Sequence, residues 1–385
     1  MKIGVLIDEL IHGGFQKVAL MEVANFRKLG HKADLVVLHR INDEGYTDLL
    51  KQYSIQPVYL SDRLPLWLKI NFKFPLFAFF SFFHIFYYFF IDKYISKKEY
   101  DIYLVHGTYT AFSAIKISRR KGIPYIAYIH DPISYILKQK YTHSLISKLN
   151  FILLPLARKI DKNIIHNSIK VIAYSDMIKF MSKLYPNKKK YSEIYNGVEL
   201  KSFNSARKSF AITATKWDQG KNLEFLINIW DNISEKTPLK IVGKFVPEKL
   251  RMDYSRMIKD KKLETKVEII GPVSENQLAK LYSEAIMLVH PCREAFGMTI
   301  LEAWATGCPC VFSTNSGVIN ITEDQLTNPL PRENNIKDYY SSINYILELN
   351  KKEYQNLSRM CYSIASKNSW QNHCKKIIQL IEECH

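Results

Sequence analysis

The chain has 385 residues, 47% of them hydrophobic and 24% charged, which excludes a disordered protein and exceeds one ordinary core, so two domains are expected. Its net charge of +17 is lopsided: residues 1–200 carry 29 basic against 16 acidic residues, the remainder 25 against 21. An acidic partner for the first half, nucleic acid or an anionic membrane face, therefore has to be weighed. The six cysteines (292, 308, 310, 361, 374, 384) show no paired spacing, which argues against zinc and disulfides and for a reduced, cytoplasmic compartment.

In chain order, KIGVLI ending at Asp8 reads as a buried parallel strand. The glycines of HGGF open an amphipathic helix with Val18, Met21, Val23 and Phe26, stopped at Gly30, and KADLVVLH is the next strand. This strand, glycine turn, helix and strand begin a doubly wound sheet. YDIYLVHG, a helix to Arg120, IPYIAYIHD, a long basic helix from about Ser144 to Asn163, KVIAYS and YSEIYNGVEL follow. The acids within the first ten residues leave no signal-peptide layout.

A second set starts near Phe210: strand SFAITATK, helix GKNLEFLINIWDNI, strands LKIVGK and KVEIIG, helix SENQLAKLYSEA, strand IMLVHP, helix MTILEAWAT and strand PCVFST. The fold class predicted is α/β, two similar doubly wound domains facing one another. They are placed at 1–203 and 204–368, with a polar linker at Lys201–Arg207 and a last helix, 369–385, packing back on the first domain.

Phe74 to Ile91, FPLFAFFSFFHIFYYFFI, has no acid or base over 18 residues and ten further Phe or Tyr after its first Phe. That length just reaches a membrane span of roughly 17–25 residues. Pro75, Ser81, His84 and the aromatic density favour a helix lying in the headgroup interface over a span, with burial in the core as the alternative.

The chemistry concentrates in EAFGMTILEAWATGCP, Glu294 to Pro309. A helix starts at Gly297–Met298 and stops at Gly307 and Pro309. Free amides at a glycine-entered helix start favour an anion. Glu294 then sits in the loop above the helix end and Glu302 about one turn inside. A bound phosphate would leave each carboxylate free to accept hydroxyls, a hexose on one side and a ribose on the other, which is the outline of a nucleotide sugar.

The stretch IMLVHP followed by REAFGMTILEAWATGCPCV closely resembles the signature of the GT-B-fold retaining glycosyltransferases known as family 4, or group 1. The resemblance runs over essentially the whole chain and implies two Rossmann-like domains across a cleft. It implies that Glu294 binds hydroxyls of the transferred sugar and Glu302 the ribose, while Phe296, Gly297, Met298 and Thr299 supply amides to sugar and diphosphate. Gly13 and Gly14 match the N-terminal glycine loop, where a missing side chain lets ligands approach the backbone. His130, with Asp131, matches a pair beside the transferred sugar, Lys221 the lysine that holds the diphosphate, and Gly271–Val273 a turn along the nucleobase. The family has arginine where this chain has Lys216, and lysine keeps the charge but loses the planar two-pronged grip.

The function expected is retaining transfer of a hexose from a nucleotide sugar, UDP favoured, to a saccharide acceptor on a lipid, in bacterial surface polysaccharide or lipopolysaccharide synthesis. Lys216, Lys221 and the helix start stabilise the departing diphosphate. No cofactor or metal is expected, since no acidic pair is in place for Mg²⁺. The basic first half, with Lys148, Arg158, Lys159 and Lys162 among FILLPLA, suits peripheral docking on the anionic inner leaflet. Two rivals remain: another enzyme on this fold, a phosphorylase or sugar-nucleotide epimerase, and a basic nucleic-acid binder, for which the sequence offers no recognised module.

Overall fold

The computed structural model describes all residues except 42–44, 64–72, 75–76, 82–98, 141–149, 207–209, 235 and 385. They divide into two units, Met1–Tyr195 with Trp370–His385, and Asn196–Ser369.

The first unit is built on a seven-stranded parallel sheet: β1 (Lys2–Glu9), β2 (Lys32–His39), β3 (Val58–Tyr59), β6 (Ile102–His106), β7 (Tyr125–Tyr128), β8 (Lys170–Ala173) and β9 (Tyr191–Glu193). The order is β3-β2-β1-β6-β7-β8-β9, so β1 lies centrally, with Ile3 opposite Ala33 on one side and Ile102 on the other. Covered on both faces, such strands need near-continuous apolar runs, which KIGVLI and IYLV supply. Helix α1 (Gly14–Lys28) returns from β1 to β2; α2 (Thr47–Gln52) precedes β3; α3 (Thr108–Lys121), α4 (Ile133–Lys140), α5 (Asn150–Asn167) and α6 (Ser175–Ser182) complete the crossovers. The last helix, α13 (Trp370–Glu382), buries Trp370, Cys374, Ile377 and Ile381 in this unit, and its Cys374 Sγ lies 3.9 Å from the Glu22 carbonyl of α1.

Two expectations change here. The described part of the aromatic segment is not helical: β4 (Lys73–Phe74) and β5 (Phe77–Ser81) pair antiparallel. Aromatic residues favour a strand. The remainder of Phe74–Ile91 lies outside the described residues, and the docking helix read there goes with it. The basic helix begins, as described, at Asn150 and runs on to Asn167, past Asn163, with Pro155 inside it; residues 144–149, and Lys148 with them, also lie outside.

The second unit has five parallel strands, β10 (Ala211–Ala214), β11 (Leu239–Val242), β12 (Val267–Gly271), β13 (Met287–Val289) and β14 (Cys310–Val311), in the order β12-β11-β10-β13-β14. Helices α7 (Leu223–Trp230), α8 (Lys249–Asp260), α9 (Glu275–Glu284) and α10 (Met298–Trp304) connect them, and α11 (Ile336–Glu348) and α12 (Lys351–Lys367) follow. The sequence reading had left α11 and α12 unassigned. Residues 201–206, placed in the linker, are tied to this unit by Lys201 N to Ala305 O (3.2 Å), Asn204 N to Thr306 O (3.1 Å) and Asn204 Nδ2 to Ser283 O (2.8 Å).

Each sheet reverses its strand order once, at β1/β6 and at β10/β13, and the crevice outside the carboxyl ends at such a reversal is where open α/β sheets bind ligands. Because Ile377 of α13 is fully buried in the first unit, Ile377→Ala should cost that unit about 2–5 kcal/mol. Urea unfolding would show this as a shift of one transition, the second unit's transition staying in place.

Candidate functional site

In the second unit the reversal places the loop after β10 beside the loop after β13. Strand β10 ends at Ala214, and Lys216 follows with its side chain exposed. Trp217, fully buried, anchors the turn through Nε1 to the Val242 carbonyl at 2.9 Å. Asp218 then caps a single 3-10 turn, Gln219–Lys221, by accepting the Gly220 amide at 2.8 Å. Asn222, in a left-handed conformation, redirects the chain into α7 and donates to Asn334 at 2.8 Å. These bonds fix the base of the Lys221 side chain.

From the other loop comes Glu294. Lys221 Nζ meets Glu294 Oε1 at 2.5 Å, and His290 Nε2 meets the same oxygen at 3.0 Å. The two partners of the ion pair are 23% and 25% exposed, so it is shielded but reachable. His290 itself is fully buried; its amide donates to Val311 O at 2.8 Å, and its carbonyl accepts the Tyr339 hydroxyl at 2.9 Å. With no partner at Nδ1 among the described residues, His290 donates from Nε2. Burial by itself would raise the Glu294 carboxyl, but His290 and Lys221 outweigh it and hold it down at about 2. Burial would lower the Lys221 ammonium, and Glu294 outweighs that in the opposite direction. Lysine has three donors, and among the described residues one is engaged here and Glu294 Oε2 has no partner, which leaves it open to accept.

The backbone around Glu294 is equally constrained. Gly317 N donates to its carbonyl at 3.1 Å, and a Cβ on Gly317 would lie 2.0 Å from Ala295 O, so only glycine passes. Gly297 takes φ +104°, a left-handed conformation that favours glycine, and turns the chain from buried Phe296 into α10. The helix start agrees with the sequence reading, but α10 ends at Trp304, giving seven residues. Gly307, at φ +85°, closes the stop, packed against the Phe203 ring and Ser358. Met298, Thr299 and Glu302 are half-buried on this helix. Val273, half-buried, follows β12, two strands from β10, and Gly271 at its strand end has φ +88°.

His290, Cys292 and Glu294 also lie with their donor atoms within 4.8 Å of one another. The set is poorly disposed to a divalent cation: an ammonium already holds the carboxylate, and burial together with Glu294 pushes the Cys292 thiol up to about 12, keeping it protonated.

In the first unit the loop after β1 carries Gly13 and Gly14. A Cβ on Gly13 would fall 2.2 Å from Gln16 Oε1, whereas one on Gly14 would meet nothing within 4 Å. Phe15, next in the chain, stacks on His130 at 5.7 Å between ring centroids, so the glycine loop and His130 are brought together. His130 lies two residues beyond β7 and stacks on Tyr128 at 4.6 Å. The Asp131 carbonyl accepts from Thr108 at 2.8 Å. Burial, then the neighbouring His106, lowers His130 to about 3, so its ring is neutral at ordinary pH.

Four residues escaped the sequence reading. His290 stood in IMLVHP, at a strand's carboxyl end four positions before Glu294. Glu22 was legible only as a charge inside the apolar face of α1. His106 and His373 carried no signal of their own.

Residues 198–363 match the family model described as glycosyl transferases group 1, and residues 12–202 match that of glycosyltransferase family 4. A probable sucrose-phosphate synthase of Thermosipho melanesiensis is 27% identical over 179 residues, 45% of this chain and 41% of that protein. The O-antigen chain mannosyltransferase RfbU of Salmonella typhimurium is 32% identical over 149 residues, 36% of this chain and 38% of that one. These matches therefore span about two fifths of the length of the curated relatives. The crystal structure of HepE from Anabaena in complex with UDP and glucose superposes over 100% of both chains with a TM-score of 0.75 at 16% identity, a likeness of fold.

Glu294 is depressed in the folded state, so its contribution to stability is complete above the ordinary 4.5 and disappears as pH falls toward about 2. Lys221→Met should therefore lower the second unit's stability by roughly 1–3 kcal/mol at pH 7, and the gap to the unsubstituted protein should narrow below pH 4. Calorimetry across pH 3–7 measures both; a gap independent of pH would refute the assignment.

Proposed function

The chain belongs to the group 1, family 4 type of glycosyltransferases, and from that premise we propose that it transfers a hexose from a nucleoside diphosphate sugar to a saccharide acceptor with retention at the transferred carbon. The observation that carries this reading is the Lys221–Glu294 pair at the β10/β13 reversal, three residues before the left-handed Gly297. It offers cation and carboxylate side by side, the two groups a sugar diphosphate needs. The remaining ammonium hydrogens of Lys221 hold the diphosphate, exposed Lys216 adds charge, Glu294 Oε2 accepts sugar hydroxyls and Glu302 accepts those of the ribose. As the bond from sugar to diphosphate breaks, negative charge grows on the leaving oxygen, and fixed cations stabilise it without reorganising. The acceptor attacks from the face the diphosphate leaves, which takes the acceptor's proton. Lys221 and Lys216 do the work a divalent ion would do, so transfer is independent of metal and of any cofactor. UDP is the first base to test, as in the ligand of HepE.

The first unit receives the acceptor, which we read as lipid-linked. On α5, Ile152 and Leu156 are 57% and 54% exposed, one helical turn apart, and exposed Arg158, Lys159 and Lys162 continue that helix. Apolar residues followed by basic ones suit shallow insertion at an anionic leaflet, the inner face of the cell membrane. Among the described residues no helix is long and apolar enough to cross a membrane. Docking of this kind and the likeness to an O-antigen chain mannosyltransferase support the reading that the product is a surface polysaccharide or lipopolysaccharide.

Melting the purified protein with UDP, GDP, dTDP or an oligonucleotide tests the donor. A ligand at 100 times its Kd adds about 2.7 kcal/mol, a shift of a few degrees at this size. One nucleoside diphosphate should produce it and Glu302→Ala should blunt it; stabilisation by the oligonucleotide alone would sink the reading. For the surface, the double variant Ile152→Ser with Leu156→Ser should lose at least tenfold in sedimentation with phosphatidylglycerol vesicles while melting unchanged, and retention of full binding would remove α5 from the docking face.

A further inference from the structure

Inside the first unit, behind His130, a carboxylate that the family resemblance does not mark sits among three imidazoles. Glu22 of α1 is completely buried. Its Oε2 lies 2.6 Å from His106 Nε2, at the end of β6, and its Oε1 lies 2.8 Å from His373 Nε2, on α13. His373 Nδ1 is 2.7 Å from the Tyr195 carbonyl. His106 Nδ1 is 3.4 Å from His130 Nε2. The chain thus runs from the last helix, through α1 and β6, to the ring beside the glycine loop.

Hydrogen-bond accounting fixes the protons. The Tyr195 carbonyl only accepts, so His373 carries hydrogen on Nδ1. An ionised carboxylate also only accepts, so His373 carries hydrogen on Nε2 as well and is an imidazolium. His106 must likewise donate from Nε2 to the carboxylate. A second buried cation would leave the cluster with net positive charge, which is costly away from water. His106 is therefore neutral, its Nδ1 is bare, and His130 donates to it from Nε2. That leaves Nδ1 as the acceptor nitrogen of His130.

We propose that Glu22 is a positioning residue that, through His106 and with His373 as its counter-ion, holds His130 as the neutral Nε2–H tautomer whose Nδ1 accepts a substrate hydroxyl. The charges around Glu22 agree: burial would raise its carboxyl, and His106 with His373 outweighs burial and holds it at about 2. The groups facing His130 are His106, Glu22 and His373, with the Phe15, Tyr128 and Tyr174 rings against it. The arrangement makes the chain's last helix part of the His130 machinery, because without His373 the buried carboxylate loses its cation. What His130 Nδ1 accepts rests on the glycosyl transfer proposed above; the proton arrangement does not.

The test is long-range ¹H–¹⁵N NMR of the full chain labelled at histidine, without sugar, at pH 7.5, with His130→Gln and His373→Gln for assignment. His130 should show a bare Nδ1 and a protonated Nε2, and His373 two protonated nitrogens. In Glu22→Gln the His373 ring should become neutral and kcat with the identified nucleotide sugar should fall at least tenfold at unchanged donor KM. A His130 protonated at Nδ1, a neutral His373 in the unsubstituted protein, or a Glu22→Gln spectrum with unaltered His373 overturns the proposal. The unsubstituted spectrum needs no variant to fold. If it shows the stated protons while no nucleotide sugar reacts, the relay stands and the transferase reading is what falls.

Discussion

Where the strand order of a parallel sheet reverses, the connections part and open a crevice outside the carboxyl ends, and in each unit a carboxylate lies at that reversal. At β10/β13 it is Glu294, half-shielded and paired with Lys221; at β1/β6 it is Glu22, fully buried between histidines. Both are expensive placements, because an ionised carboxylate out of water is stable only with partners close by. The partners come from the strands and loops that meet at the reversal: His106 ends β6, His290 directly follows β13, and Lys221 follows β10. The topology thus decides where charge can be kept, and the local sequence decides which charge.

The two carboxylates differ in what surrounds them, and that difference sets what each can do. Glu294 spends one oxygen on Lys221 and His290 and keeps the other, and Lys221 keeps two hydrogens. A ligand with an anion and a hydroxyl can join this pair without breaking it. Glu22 spends both oxygens on histidine and is sealed from solvent. A group so enclosed acts, in the relay proposed above, only through the rings it orients. In the proposals made above, one carboxylate is an instrument of binding, the other of orientation.

The fold was readable because the central strands had to be apolar on both faces and several helices stop at a glycine, Gly30, Gly122 and Gly307 among them: the runs KIGVLI, LKIVGK and IMLVHP all appear in the sheets. The carboxylates of the candidate site, Glu294 and Glu302, were readable because a glycine turn and helix stop fix their spacing within sixteen residues. Glu22, His106 and His373 were not, since their meaning arises from contacts 84 and 351 positions apart. A lone histidine at a strand end looks the same whether or not a buried acid stands behind it. In the aromatic segment composition favours any apolar environment without choosing helix or strand, and its described part, Phe77–Ser81, pairs as a strand. Helix α10 is shorter than its pattern because its last turn tightens, with Thr306 N donating to Ala303 O and Gly307 N to Trp304 O, and left-handed Gly307 then turns the chain away.

The charge lopsidedness of the chain takes on a different cast once these contacts are known. The basic excess of residues 1–200 does not gather at the Glu22 cluster, whose acid and histidines balance among themselves; it lies on exposed positions such as Arg158, Lys159 and Lys162. Exposed lysines confer long-range attraction that salt screens within about 8 Å at physiological strength, whereas the buried cluster is shielded from salt. In the proposed reading, attraction to an anionic surface and control of His130 are thus carried by separate groups and answer to different conditions. Raising ionic strength should weaken the first and leave the second intact, so the proposed docking and the proposed ring chemistry would vary independently within a single unit.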